Sequence, residues 1–153
     1  MRFRDLEERL RAGLVSVAVA GLGVSAYLTA VRASGGTPAC AITGGCAEVQ
    51  ESAYSEVAGI PVAALGIVAY LGILATALLA GELGRIGGLF TALVGAGFSV
   101  WLTYVELGII DAICSWCVVS AGLMGVALVL AVARVWLTGR SSSTAESAPR
   151  GNA

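Results

Sequence analysis

The chain has 153 residues, 58% hydrophobic and only 12% charged, with a formal net charge of −1. Soluble domains carry about a quarter charged residues, so this is the composition of a one-domain membrane protein. Histidine is absent and all nine basic residues are arginines spread along the chain, which excludes imidazole metal ligands and bases and gives no patch for nucleic acid.

Met1 to Arg11 is a short charged lead. From Ala12 to Val31 no residue is charged. At 1.5 Å per residue, about twenty residues cross the ~30 Å hydrocarbon layer, and a signal-peptide apolar region is only roughly 7–15 long. The stretch is therefore expected to be a first membrane span and not a cleaved leader. Gly13, Ala18, Ala20, Gly21 and Gly23 would let other helices approach it closely.

Arg32 to Glu56 is the long polar loop. It opens with Ser34-Gly35-Gly36-Thr37-Pro38, which cannot be helix, and then carries Cys40, Gly44-Gly45 and Cys46. Thr37-Pro38-Ala39-Cys40 is a poor lipoprotein cleavage site because of its proline and its distance from the span. After Cys46, the residues Val49, Ala53, Tyr54 and Val57 fall on one helical face, with Glu48, Glu51, Ser52, Ser55 and Glu56 mostly opposite. This predicts a short amphipathic half-helix on the membrane surface; a solvated loop helix without function would show the same pattern.

Pro61 suits the first turn of a second span, Val57 to Ala80. Leu83-Gly84-Arg85 reads as a tight turn, and Ile86 to Val105 as the third span, with Gly84-x-x-x-Gly88 at its start as a packing motif. Glu106 to Asp111 reads as a short outer turn and Ala112 to Ala133 as the fourth span, closed by Arg134, Trp136 and Arg140. The fold expected is all-α: a four-transmembrane-helix bundle, residues 1–140, with the half-helix in its first outer loop. The Ser/Ala/Gly-rich tail 141–153 is expected to be disordered and cytoplasmic.

Four spans put both termini on one side, together with every arginine except Arg32. The positive-inside rule makes that side cytoplasmic, so all four cysteines face outward, where disulfides persist. Trp101, Tyr104 and Trp116 cluster near the same face, as in an aromatic belt.

Cys114-Ser115-Trp116-Cys117 is a C-x-x-C pair at the front of the last apolar run. In the opening turn of a helix, the partial positive charge of the N-terminus favours a thiolate at Cys114. Cys40 and Cys46 enclose five residues, two of them glycine, and can approach to disulfide distance. Each pair could also be structural, and four thiolates could hold zinc or copper. A mobile pair beside a fixed pair equally suits a thiol–disulfide relay. With no histidine, haem or nucleotide motif, its natural electron sink is a lipid-soluble quinone.

Cys40-x5-Cys46, Ser52, Gly59-Ile60-Pro61-Val62-Ala63-Ala64-Leu65-Gly66, Trp101-Leu102-Thr103-Tyr104-Val105-Glu106-Leu107 and Cys114-Ser115-Trp116-Cys117 together resemble the vitamin K epoxide reductase family in its short microbial form. The resemblance covers about Ala12 to Leu137. It implies a four-helix bundle around a quinone of menaquinone or ubiquinone type. By the same resemblance Cys117 is the cysteine that contacts the quinone, Cys114 its active-site partner, Cys40 and Cys46 the shuttle pair, and Ser52 a serine near the quinone. The chain lacks the thioredoxin-like domain fused to some relatives, which implies a separate secreted or membrane-anchored thioredoxin-like donor. Ala121 stands where vertebrate relatives carry a tyrosine, so the vertebrate vitamin K cycle is not implied.

The expectation is a multi-pass membrane enzyme that passes electrons from that donor to quinone, in support of disulfide formation, with no metal. The alternatives are a thiolate metal binder or transporter and a purely structural tetraspan. The unrelated disulfide-bond protein B type carries its C-x-x-C in the first outer loop; here it comes second, which argues against that type.

Overall fold

The computed structural model describes residues 2–40 and 44–146. Its long helices are α1 (Arg2–Ala33), α3 (Val62–Leu78), α4 (Gly81–Val105) and α5 (Ser115–Glu146), with the short α2 (Cys46–Glu51) between α1 and α3. The segments Arg4–Ala33, Gly81–Ile110 and Ser115–Leu137 are long and apolar enough to cross a membrane; α3 is a shorter apolar helix. This is the expected all-α membrane bundle.

Each long helix packs on two others, α1 against α3 and α5, and α4 against α3 and α5. Small residues set the spacing. The core is built from Ala18, Ala77, Ala92, Ala127 and Ala131 around Leu14, Tyr70, Ile73 and Met124. A Cβ on Gly21 would stand 2.2 Å from the Tyr70 ring, and one on Gly95 2.7 Å from the Met124 sulfur. Tyr70, fully buried, reaches diagonally across the bundle and donates to the Ser120 carbonyl at 2.8 Å.

The connection between α3 and α4 differs from the expected Leu83-Gly84-Arg85 turn. The chain turns at Leu79-Ala80, and Gly81, at φ 84°, begins α4. Gly84 is buried inside the helix, where a Cβ would lie 2.3 Å from the Leu79 carbonyl, and Gly88 faces the Thr76 hydroxyl. Close approach to the end of α3, not turn geometry, is what glycine supplies at residue 84. Arg11 ties α1 to the same end, its guanidinium donating to the carbonyls of Ala77 and Leu78, each at 2.9 Å. These carbonyls lie in the last turn of α3, where helical partners run out.

The half-helix is shorter than expected. Ser52 is extended (ψ 154°) and ends α2, because its N–H and its hydroxyl both donate to the Val49 carbonyl. Such side-chain bonds compete with the helix ladder. A single 3₁₀ turn, Ala53–Ser55, follows. Residues 57–60, expected in the second span, instead form a small hairpin: β1 (Glu56–Val57) pairs antiparallel with β2 (Ile60–Pro61). Ala58 and Gly59 both take positive φ, 53° and 79°, as a two-residue hairpin turn demands. Pro61 stands just ahead of α3. At the other end α5 continues through Arg140 to Glu146, since no proline interrupts it before Pro149, so the first part of the stretch expected as a disordered tail is helical. The rest of that tail, 147–153, lies outside the described residues.

Candidate active site

The turn between α4 and α5 is wider than an α-helical turn. Glu106–Ile110 form a π-helical turn that ends at Asp111 in the left-handed conformation, φ 57°. The next residues run straight into Cys114, which stands immediately ahead of α5 and not inside its first turn. Its carbonyl accepts the Val118 N–H at 3.1 Å. Its side chain therefore occupies the position of a helix cap. The hydrogen bond from the Cys117 thiol, the largest influence, holds the Cys114 thiol below its usual pKa. The backbone N–H groups of Cys117 and Trp116 act in the same direction, while burial and the Glu106 charge oppose them. Cys114 is fully buried, and both it and Cys117 are free thiols.

Cys40 and Cys46 are joined as a disulfide, with Cα atoms 6.0 Å apart. The loop that carries them is docked on the C-x-x-C segment by several contacts. The Trp116 indole N–H donates to the Ala39 carbonyl at 2.9 Å. The Ala39 N–H donates to the Tyr27 hydroxyl at 3.2 Å, and the Tyr27 and Trp116 rings pack with centroids 5.2 Å apart. The Cys40 sulfur is 3.9 Å from the Ser115 hydroxyl. On the other side of the loop, a Cβ on Gly45 would lie 2.9 Å from the Ile113 carbonyl. Only glycine lets the chain come so close there, and it brings the buried Cys46 to the segment leading into Cys114. Trp116 is thus held by the loop, whereas Trp101 and Tyr104 are exposed on the bundle surface as a membrane belt requires.

Beneath this contact lies a cavity of about 570 Å³ between the long helices. Phe90, Phe98, Val62, Val94, Leu102 and Met124 make most of its wall apolar, and Ser52, Arg32, Glu106 and Cys117 add polar groups. Cys117 lines it; Cys114 does not. Ser52 lines it with its hydroxyl hydrogen already given to Val49 at 2.7 Å, which leaves the oxygen lone pairs to face the cavity. Arg32 is anchored at the rim by the Glu56 carboxylate at 2.8 Å and by the Gln50 carbonyl. Among the described residues, no group of three or more cysteine, aspartate or glutamate side chains is gathered as for a metal ion.

A model of the vitamin K epoxide reductase family matches residues 13–132. The chain belongs to that family. Members of the vitamin K epoxide reductase family are membrane thiol–disulfide oxidoreductases, linked to quinones and thioredoxin-like partners in general; membership makes this chain a membrane thiol–disulfide oxidoreductase.

The candidate residues Cys40, Cys46, Cys114, Cys117 and Ser52 all lie at this end of the bundle, Cys117 and Ser52 lining the cavity and the other three in the docked segments beside it. Glu106 is a site residue that the sequence does not single out. Its carboxylate is buried, accepts the Cys114 N–H at 3.2 Å and lines the same cavity as Cys117. The signal it carries in sequence is that of a lone acidic residue within an apolar run. Tyr27 is a second such residue; nothing in its surroundings in sequence separates it from an ordinary interfacial aromatic.

Proposed function

We propose that this protein takes two electrons from a separate thioredoxin-like dithiol protein, secreted or membrane-anchored, and passes them through Cys40–Cys46 and Cys114–Cys117 to a membrane quinone. The donor, reoxidised, is again able to make disulfides. The observation that carries this reading is the docking of the loop disulfide on the C-x-x-C segment, directly above an apolar cavity that Cys117 lines.

The cavity suits a quinone. Its volume falls within the ~300–1,000 Å³ of small-molecule sites, and it has the expected apolar wall with a few polar groups. Cys117 would face the ring, with Arg32 available to donate to its oxygens and Ser52 able to do so by turning its hydroxyl away from Val49. The quinone would supply the final two-electron acceptor.

The exchange steps belong to the cysteines. A donor thiolate attacks Cys40 and releases Cys46 as a thiolate. Cys46 attacks Cys114 of the closed inner pair and releases Cys117. The donor's second thiolate attacks the donor–Cys40 bond, leaving as the donor disulfide and freeing Cys40. Cys40 thiolate then attacks Cys46 and releases Cys114, which leaves the loop pair joined and the inner pair as two thiols, the arrangement seen here. Each exchange must run near balance, since about 30 mV corresponds to 1.4 kcal/mol for two electrons.

In the membrane we place both termini on the cytoplasmic side, with four passes and all four cysteines outward. Maleimide that cannot cross membranes should label Cys40 in intact cells after mild reduction. Labelling that requires lysis would reverse the orientation. The function itself is tested with purified protein, a reduced thioredoxin-like donor and a quinone, following quinone absorbance. Quinone reduction that depends on the donor and disappears on alkylation supports the relay; donor oxidation without quinone reduction rejects it.

A further inference from the structure

Glu106 is the buried ionisable group that the relay leaves without a task. Its placement is specific. The π-helical turn that starts at Glu106 folds its carbonyl back onto the Ala112 N–H, at 3.2 Å, and directs the side chain under the start of α5. There the carboxylate accepts the Cys114 N–H and lines the cavity that Cys117 also lines. With 5% of its surface exposed, it has no route to bulk water comparable to its route into the cavity. π-helical turns recur at functional sites because they re-aim a side chain at the cost of regular hydrogen bonding.

We propose that Glu106 is a catalytic residue, the base that takes the Cys117 thiol proton as the inner pair closes and hands it into the cavity. This rests on the quinone-linked reading of the site. Closing the pair breaks two S–H bonds and forms the Cys114–Cys117 bond, releasing two electrons and two protons. Both electrons reduce the quinone to its hydroquinone. The Cys117 proton goes to a Glu106 carboxylate oxygen and on to a hydroquinone oxygen. The Cys114 proton is the one already disfavoured by the capping N–H groups and the Cys117 hydrogen bond; it leaves toward the outer face, and the second hydroquinone proton is drawn from water there. The Cys114 N–H bond fixes the carboxylate while its other oxygen serves Cys117. Other titratable or charged groups around the cavity are Arg32 from α1, Tyr54 from the 3₁₀ turn and Tyr70 from α3. Arg32 is held by Glu56 and Tyr70 by Ser120, whereas Glu106 bonds the C-x-x-C segment itself at the Cys114 N–H.

The test uses the full chain in lipid nanodiscs, reduced and freed of reductant. In one arm the inner pair is closed chemically with diamide and the infrared difference spectrum between the two states is recorded. A carboxyl band that changes with closure, shifts in D2O and is lost in Glu106→Gln is expected. In the other arm a quinone closes the pair in a single turnover. Glu106→Gln should slow that step by about a hundredfold or more, the usual worth of a positioned base, and flatten its acid limb. Glu106→Asp should restore much of the rate with a displaced band. A band that persists in Glu106→Gln, or an unchanged rate and pH profile, overturns the proposal. Should Glu106→Gln fail to assemble, Glu106→Asp decides alone, since an unmoved carboxyl band overturns it. A wild-type band with diamide but no closure by quinone upholds the proton role and rejects the quinone acceptor.

Discussion

The indole N–H of Trp116 donates to the carbonyl of Ala39, 2.9 Å away, and so fastens the middle of the C-x-x-C motif to the residue before Cys40. Removing the donor while keeping an aromatic ring isolates this bond. A neutral hydrogen bond contributes about 0.5–1.5 kcal/mol. Trp116→Phe should therefore let the loop open more often, and dithiothreitol should reduce Cys40–Cys46 roughly threefold to tenfold faster. The rate is read by quenched alkylation, and an unchanged rate would mean that the remaining loop contacts hold it without this bond.

Single-cysteine variants should trap defined neighbours. Cys46→Ser should accumulate a Cys40–donor mixed disulfide, because the resolving thiol is gone. Cys117→Ser should accumulate a Cys46–Cys114 bridge. Disulfide mapping by mass spectrometry reads both. The Cys40 sulfur is close to Ser115, so a Cys40–Cys114 bridge in Cys117→Ser is the informative failure and would exchange the roles of the two loop cysteines.

Ser52→Ala removes an oxygen at the cavity and the hydroxyl bond that ends α2. For a hydroxyl that turns from Val49 to a quinone oxygen on binding, the expected result is a rise in the quinone KM of up to roughly threefold to tenfold with turnover retained, the worth of one neutral hydrogen bond. Steady-state kinetics at several quinone concentrations would show it. No change in either constant removes Ser52 from the site.

The lowered pKa of Cys114 has a defined sign. More of it is thiolate at neutral pH than of a free cysteine, whose pKa is ~8.5. The leading cause is the Cys117 thiol, which donates to it. In the reduced protein, the thiolate ultraviolet absorbance, which needs no reagent to reach the buried sulfur, should thus titrate for Cys114 with a midpoint below that of a free thiol. Cys117→Ala should move the midpoint up and lower the thiolate fraction at neutral pH, while Cys117→Ser, which keeps a donor, should move it less.

Gly21→Ala would place a methyl 2.2 Å from the buried Tyr70 ring, closer than any side chain tolerates. Overpacking of this kind costs about 1–3 kcal/mol. The melting temperature in detergent should fall, whereas Gly23→Ala, with nothing within 4 Å, should leave it unchanged.

The spans are legible in the sequence because uncharged runs of membrane-crossing length need no partner to be recognised. The small-residue positions are half legible. Gly21 and Gly84 face neighbours at close range, but Gly23 faces none, and sequence spacing does not reveal which face meets protein. The start of α3 differs from expectation because Val57 and Ile60 are apolar in a hairpin as they would be in a span; Ala58-Gly59 carries the turn signal between them. The cysteines and Ser52 are legible through their order. Glu106 is not, because its meaning comes from a π-helical turn that brings it back over residues eight and eleven positions later, and no local pattern announces that turn.

The shortness of α3 has a consequence for the lipid. Its 17 residues rise about 26 Å, some way less than the ~30 Å hydrocarbon thickness. Arg11 pins one end and the β1–β2 hairpin follows directly on the other, so α3 cannot gain length by recruiting its neighbours. With four passes, as proposed above, the mismatch falls on this flank, where thinning of the bilayer costs a fraction of a kcal/mol per Å. Lipids with longer acyl chains load that strain onto the helix that carries Tyr70 and one wall of the cavity. Membrane thickness thereby becomes a variable that acts on this protein from one side, and turnover in nanodiscs of graded chain length should register it.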